Sequence, residues 1–140
     1  MNEEAKIHDA ACHCGRVRFR VRLAGFDTIR RCTCSYCRMR GAIAVSAQRD
    51  DVAFVAGEDN LSLYQFNTGT AKHYFCRTCG IYTHHQRRSN PKLFGINVAC
   101  LEGHGPFDFP EVVVMDGVNH PSDTSSGPRV AGVLRFVASE

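Results

Sequence analysis

Long apolar runs and a strong charge of one sign are both missing from this chain of 140 residues. No apolar run approaches the roughly 20 residues of a membrane-spanning helix, so we expect no segment to cross a bilayer. Lys and Arg total 17 against 14 Asp and Glu, a net charge of +3, which is far from the dense basic surface typical of nonspecific nucleic-acid binding. Glu3 and Glu4 stand where a secretory signal has basic residues, so we predict a cytoplasmic protein.

Helical patterns are also scarce, whereas short segments rich in β-branched and aromatic residues recur along the chain. In Arg16–Leu23 apolar residues alternate with arginines, which predicts a strand buried on one face. The only helical candidate is Ser35–Arg40, with Ser35 as its cap and Gly41 at its end. Further predicted strands are Ala42–Ala47, Val52–Val55, Leu61–Phe66, Lys72–Phe75, Phe94–Ala99, Val112–Met115 and Val130–Val137.

The length and composition predict a single mostly β domain over residues 1–140. Hydrophobic residues make up 44% of the chain, and folding at this length buries about 68–70% of the surface of the unfolded chain. A core is therefore possible without disulfides. Glu102–Pro110 and Asp116–Arg129 are rich in Gly, Pro, Ser and Asp and are predicted to be loops within that domain.

Cysteine is the residue in excess, with eight in the chain. In a reducing compartment such cysteines bind metal or do chemistry more often than they form disulfides. Two cysteines in C-x-C on an extended backbone point the same way, and a tight turn brings the two of C-x-x-C together. Seven of the eight fall in three clusters, Cys12-His13-Cys14, Cys32-Thr33-Cys34-Ser35-Tyr36-Cys37 and Cys76-Arg77-Thr78-Cys79, and Cys100 stands alone.

The clusters divide into a set of four and a set of three zinc ligands. Cys12 and Cys14 with Cys76 and Cys79 supply four thiolates, which complete a tetrahedral structural site. The middle cluster, Cys32, Cys34 and Cys37, supplies three, and three protein ligands with an open position are typical of catalytic zinc. We therefore predict two zinc ions per chain, one closed and one open.

Two alternatives to this division stay open. Cys100 ends an apolar segment, where it is either a buried thiol that behaves as a small hydrophobe or a fourth ligand of the open site. Disulfide pairing of the cysteines is the second alternative, and it requires an oxidising compartment.

Side chains near the middle cluster are candidates for substrate binding. Arg38 and Arg40 follow the three cysteines directly, and arginine recognises carboxylates through paired hydrogen bonds. Tyr36 lies between Ser35 and Cys37 and is a candidate wall of the site. The alternative for each is a solvated or packing role. The same reasoning extends to four further arginines, Arg30, Arg31, Arg87 and Arg88.

Two adjacent histidines, His84 and His85, complete the candidate substrate-binding residues. They follow the Cys76–Cys79 turn in a predicted strand, so their rings point to opposite faces and at most one faces a given site. Imidazole is a common zinc ligand, and the alternative is a hydrogen-bonding role.

The cysteine clusters and their flanks resemble the glutathione-dependent formaldehyde-activating enzymes, a family with a centromere protein V branch. The resemblance implies a β-tent fold of packed antiparallel sheets with zinc-knuckle hairpins. It also implies structural zinc at the set of four cysteines, catalytic zinc at the set of three, and condensation of glutathione with formaldehyde to S-hydroxymethylglutathione. The matching segments are Cys12–Phe19, Cys32–Arg38, Phe75–Gly80, Asn97–Leu101 and Asp116–Gly117.

Three functions follow as hypotheses. The first is a zinc-dependent carbon–sulfur lyase or synthase that acts on an adduct of a small thiol, such as glutathione, with an aldehyde. The second is a noncatalytic zinc module that binds a protein or nucleic acid, although a net charge of +3 offers little for phosphates to hold. The third is thiol redox chemistry at Cys100, which requires an exposed thiol of low pKa.

Overall fold

The computed structural model of the protein describes residues 4–124 and 127–140. In the part it describes there is one α-helix, α1 (Ser35–Arg40), and short 3₁₀ helices cover Arg49–Asp51, Glu58–Asn60, Val98–Cys100, Pro106–Asp108 and Pro121–Asp123. None of the described helices has the length and apolar character needed to span a membrane. The strands are β1 (Lys6–Ala11), β2 (Arg18–Leu23), β3 (Arg30–Cys32), β4 (Ala44–Gln48), β5 (Val52–Ala56), β6 (Leu61–Tyr64), β7 (Lys72–Cys76), β8 (Tyr82–Gln86), β9 (Leu93–Asn97), β10 (Glu111–Met115) and β11 (Val130–Arg135).

The strands form two sheets. The smaller has the order β1-β2-β5, and the larger has eight strands in the order β11-β10-β3-β4-β9-β8-β7-β6. Neighbouring strands are antiparallel except β3 and β10, which run parallel with Met115 opposite Cys32. The predicted mostly β fold of packed antiparallel sheets with little helix is confirmed, and the parallel pair brings the chain after Met115 alongside the middle cysteine cluster.

The core lies between the two sheets. In β2 the apolar residues Phe19, Val21 and Leu23 are buried while the intervening arginines are exposed, as the alternation predicted. They join buried residues of the larger sheet, among them Val45 and Ile96, in one hydrophobic cluster. Each such side chain contributes about 1.5–3 kcal/mol to stability by leaving water, so this cluster holds the smaller sheet against the larger one.

Several local predictions are confirmed and others need correction. Helix α1 has the predicted bounds and ends at Gly41 with φ of 69°, but its cap is Cys34, whose sulfur accepts a hydrogen bond from the Cys37 amide, and not Ser35. The predicted strand Phe94–Ala99 ends at Asn97, because the Asn97 side chain accepts a hydrogen bond from the Ala99 amide at 3.1 Å and starts a 3₁₀ turn. Both predicted loops contain a 3₁₀ turn, and residues 125–126 of the second lie outside the described residues.

One buried histidine makes stability depend on pH. His84 packs among the rings of Phe19, Phe54, Tyr74 and Phe94, and burial lowers its pKa to about 4. Between that value and the ordinary 6.5, the unfolded chain binds a proton that the folded protein does not, so stability is lost as the pH falls.

We therefore expect His84→Phe to reduce the pH dependence of the free energy of unfolding. Between pH 5 and 6 its slope should fall by about 1 kcal/mol per pH unit, the effect of one proton. Urea denaturation of both proteins at closely spaced pH values measures the slope. Parallel curves for the two proteins would show that His84 is not held neutral.

Candidate metal sites and substrate cavity

The four-cysteine set forms where two hairpins meet. Cys12 and Cys14 follow β1, Cys76 ends β7, and Cys79 lies in the turn between β7 and β8. The four sulfurs lie within 4.8 Å of one another, with 3.6 Å between Cys12 Sγ and Cys14 Sγ and 3.7 Å between Cys14 Sγ and Cys76 Sγ. Tetrahedral zinc with Zn–S bonds of about 2.3 Å places its sulfurs about 3.8 Å apart, so this donor set fits a closed zinc site.

Backbone and side-chain N–H groups surround these sulfurs. The Val17 amide donates to Cys12 Sγ at 3.3 Å, and the Cys79 amide and the Asn60 side chain donate to Cys76 Sγ, each at 3.5 Å. Such donors favour thiolate over thiol. Burial acts to raise the pKa of Cys79, but the N–H groups of Ile81 and Cys14 outweigh it and lower that pKa to about 6. These N–H donors therefore favour a thiolate at Cys79.

The three-cysteine set lies at the junction of β3 and α1. Cys32 ends β3, Cys34 caps the helix, and Cys37 lies in its first turn. Their sulfurs also lie within 4.8 Å of one another, and among the described residues no His, Asp, Glu or further Cys completes the group. The Cys34 amide donates to Cys32 Sγ at 3.4 Å and the Cys37 amide to Cys34 Sγ at 3.3 Å. A tetrahedral ion held here keeps one position for an outside ligand.

Gly117 closes one side of the three-cysteine set. The parallel pairing of β10 with β3 brings it over the cluster, where its amide donates to Thr33 Oγ1 at 3.0 Å. A Cβ atom at this position would collide with Cys32 Sγ and would lie 2.7 Å from the Cys34 backbone nitrogen. Only glycine fits there without displacing the cysteines.

We predict that Gly117→Ala empties the three-cysteine site while the protein stays folded, because the added methyl group displaces Cys32 and Cys34. Zinc per chain, measured by plasma mass spectrometry, should fall from two to one, with an unchanged circular dichroism spectrum. Gly105→Ala is the matched control, since a Cβ atom there meets nothing within 4 Å. Two zinc ions in Gly117→Ala would contradict the prediction.

A cavity of about 470 Å³ opens beside the three-cysteine set, a size typical of small-molecule sites. Six arginines and two aspartates are among its lining residues. Asp123 is paired with Arg88 at 3.0 Å, and the Asp116 carboxylate is held by Asn119 in its own loop. Positive charge therefore dominates the cavity and favours an anionic ligand. The arginines are Arg30, Arg31, Arg40, Arg87, Arg88 and Arg129.

Arg87, which is buried, and Arg30, which is half-buried, provide positive charge in this cavity. Arg87 is buried and donates to Ser46 Oγ at 2.8 Å, while its Nε has no partner among the described protein atoms. Burial, and then the neighbouring Arg30, lower the pKa of Arg87 to about 10. Arg87 thus remains a cation at neutral pH, and its unpaired N–H can bind an acceptor of the ligand.

Arg40 connects the three-cysteine set to the opposite cavity wall. One of its nitrogens donates to Cys37 Sγ at 3.4 Å, and the other lies 3.0 Å from His73 Nδ1. Its guanidinium carbon stands 3.7 Å from the centre of the Tyr82 ring and 4.9 Å from that of Tyr36, distances at which cation–π attraction is strong. These contacts fix a positive charge beside the sulfur of Cys37.

Only some of the predicted substrate-binding residues line the cavity. Arg40 and His85 line the cavity. Tyr36 packs against the rings of Tyr64 and His73 and contacts the site through Arg40. Arg38 is exposed in the last turn of α1 and is not among the lining residues. His84 points into the core between the sheets, as the opposite orientation of neighbouring strand residues requires.

Cys100 lies apart from both metal sets. It is 6% exposed and belongs to the hydrophobic core, with its sulfur donating to the Tyr82 carbonyl at 3.5 Å. Burial raises its pKa to about 12. This placement agrees with the buried-thiol interpretation and counts against both a ligand role at the three-cysteine set and redox chemistry. All eight cysteines are free thiols in the structure, so the disulfide alternative gains no support.

Sequence reasoning missed His73 and the contribution of Gly117 to the site. His73 lies in the predicted strand Lys72–Phe75, but only the pairing of β7 with β8, which sets His73 opposite His85, places it in the cavity wall. The C-x-x-C turn joining these two strands is the one local signal of that pairing. Gly117 has no local signal, because its contact with Cys32 depends on β10 pairing with β3.

Three comparisons relate the chain to known proteins. The family model described as glutathione-dependent formaldehyde-activating enzyme matches residues 7–112. A Halomonas elongata protein with that provisional name is 35% identical over 79 residues, which are 51% of this chain and 50% of the relative; the chain thus spans about half the length of this curated relative. A Rhodobacter sphaeroides protein of known crystal structure is 61% identical, with a TM-score of 0.72 over 74% of this chain and 96% of that one.

Proposed function

The chain belongs to the glutathione-dependent formaldehyde-activating enzyme family, and we propose that it joins a small anionic thiol to an aldehyde and cleaves the adduct in reverse, as a carbon–sulfur lyase. The observation that carries the proposal is a set of three cysteines with no fourth described protein ligand, placed beside a cationic cavity. A noncatalytic zinc module needs neither an open coordination position nor a cavity. Both features therefore favour an enzyme.

We further propose zinc at both cysteine sets, with a structural role at the set of four. Zinc bound by Cys32, Cys34 and Cys37 would lower the pKa of a coordinated substrate thiol and so supply a thiolate at neutral pH. Three cysteine thiolates leave such a centre electron-rich. Delivery of the substrate thiolate is therefore favoured over polarisation of the aldehyde.

The arginines of the cavity bind and orient the substrate. Glutathione carries two carboxylates, and the half-buried Arg30 and the buried Arg87 place cationic donors within the cavity that the three cysteines line. Bidentate arginine–carboxylate contacts fix both position and orientation. Binding the thiol in one orientation removes much of the entropic barrier to its addition.

The proposed reaction is the addition of a thiolate to a carbonyl group. The substrate sulfur forms a bond to the aldehyde carbon, the π electrons move to the oxygen, and that oxygen takes a proton while the thiol proton passes to water. Arg40, fixed beside Cys37 Sγ, holds positive charge near the sulfurs and favours the anionic state of the site.

Exchange spectroscopy with ¹³C-labelled formaldehyde and glutathione tests the proposal, since the uncatalysed exchange is itself visible and sets the baseline. We expect the zinc-loaded protein to accelerate exchange between free formaldehyde and its glutathione adduct. Gly117→Ala is the matched control, because it keeps every cysteine and so reproduces any direct reaction of protein thiols with formaldehyde. Equal exchange in buffer, wild type and Gly117→Ala would overturn the proposed function.

A further inference from the structure

His73 is a buried polar residue of the cavity wall that the reaction described so far does not use. It lies on β7 with 3% of its surface exposed and is one of the cavity-lining residues. Its ring is nearly parallel to the rings of Phe66 and His85 and also packs against Tyr36. The imidazole is therefore held in one orientation.

The contact with Arg40 determines where the ring carries its hydrogen. Arg40 Nη1 lies 3.0 Å from His73 Nδ1, and a guanidinium nitrogen can only donate. Nδ1 must therefore accept, so the ring is neutral and its hydrogen is on Nε2. Burial, and then the charge of Arg40, lower the pKa of His73 to about 4, in agreement with a neutral ring at physiological pH.

The Nε2–H group has no partner in the described protein. It is buried with no hydrogen bond to any described atom, and a buried donor left unpaired is costly. An anchor for Arg40 would need only Nδ1. The Nε2–H group is a second polar group of the same ring, and it is buried and unpaired on a residue that lines the cavity. A ligand bound in the cavity would supply the acceptor that this donor lacks.

Resting on the proposed function, we propose that His73 is a catalytic residue whose neutral Nε2–H donates a hydrogen bond to the aldehyde oxygen as the thiolate adds. The carbon–sulfur bond forms, the oxygen gains the electron pair of the carbonyl π bond, and the Nε2–H group stabilises that developing negative charge. The proton that completes the hydroxyl group comes from water, so His73 begins and ends the cycle neutral. In the reverse direction the same bond stabilises the oxyanion from which aldehyde leaves.

Two isosteric variants separate this role from the anchoring of Arg40. Asparagine at position 73 keeps an acceptor near the place of Nδ1 and removes the distal donor, whereas glutamine keeps a donor near the place of Nε2. Removing one oxyanion donor typically lowers kcat about 10²–10³-fold. We therefore expect His73→Asn to lose about 10²-fold in kcat with KM for glutathione within about twofold, and His73→Gln to recover at least tenfold of the loss.

Nitrogen-15 spectra of histidine-labelled protein give a readout that is independent of catalysis. We expect His73 to show the Nε2–H tautomer from pH 6 to 8, and the Nε2 resonance to shift when glutathione and excess formaldehyde are added but not with S-methylglutathione, which lacks the hydroxyl oxygen. An Nδ1–H tautomer or a charged ring would overturn the assignment whether or not the protein is an enzyme.

The kinetic outcomes distinguish this inference from the proposed function. If wild type accelerates exchange and His73→Asn is as fast, the proposed function stands and the role of His73 is lost. A fall in His73→Gln alone, since glutamine lacks the acceptor for Arg40 that asparagine keeps, would identify His73 as only an anchor for Arg40. If wild type itself does not accelerate exchange, the proposed function fails and this role fails with it.

Discussion

Cys76→Ser should leave the protein without a cooperative fold. Cys76 is fully buried, and its set of four ties the hairpin after β1 in the smaller sheet to the β7–β8 hairpin in the larger one. Structural zinc contributes an apparent binding free energy of about 10–16 kcal/mol in zinc-finger peptides, against a net stability of about 5–15 kcal/mol for a typical domain. We therefore expect the hydrophobic contacts between the two sheets to be insufficient by themselves to keep the chain folded.

Circular dichroism and thermal unfolding measure this effect, with zinc per chain measured on the same samples. Cys100→Ser is the matched control, because Cys100 is also buried in the core but belongs to neither metal set. We expect the control to unfold cooperatively with two bound zinc ions. A cooperative transition in Cys76→Ser near that of the wild type would show that the four-cysteine set does not stabilise the fold.

Cys34→Ser should have the opposite pattern, with the fold kept and catalysis lost. Serine is among the best helix-capping residues, so its hydroxyl can accept the Cys37 amide hydrogen that Cys34 Sγ accepts in the native protein. The three-cysteine set, however, falls to two thiolates. Zinc per chain should therefore drop from two to one, and exchange of formaldehyde with its glutathione adduct should return to the uncatalysed rate.

The measurements are zinc content, the melting temperature and ¹³C exchange on one preparation of Cys34→Ser. We expect a melting temperature within a few degrees of the wild type, in contrast to Cys76→Ser. If both variants unfold, or if both remain folded with one zinc ion, the division into a structural and a catalytic site is wrong. Unchanged exchange in a folded Cys34→Ser with one zinc ion would remove the three-cysteine set from the reaction.

Local spacing was sufficient to predict which cysteines lie together in sets that could hold a metal ion, and much of the strand pattern. The sulfurs of Cys32, Cys34 and Cys37 converge because their close spacing and one helical turn bring them together, and both features are visible in the sequence. The alternation in β2 likewise follows from its own side chains, since one face of that strand must be buried.

The parts that sequence could not predict depend on pairing between distant segments. Strand β1, with the sequence KIHDAA, lacks a strong strand pattern and is a strand because it pairs with β2. Strand β3 has only three residues and is placed by β4 and β10. The pairing of β10 with β3 sets Gly117 against Cys32, and the pairing of β7 with β8 sets His73 into the cavity wall. Neither residue shows its role in its own local sequence.

Cobalt substitution tests the open site most directly, because Co²⁺ in a thiolate site has a visible spectrum that changes with each new sulfur ligand. We predict that glutathione titrated into the fully cobalt-loaded protein changes the visible and near-ultraviolet absorption with saturation at one thiol per chain. Cys34→Ser, loaded only at the four-cysteine set, should show no change. An unchanged spectrum in the fully loaded wild-type protein would contradict thiol binding at Cys32, Cys34 and Cys37, on which the proposed chemistry depends.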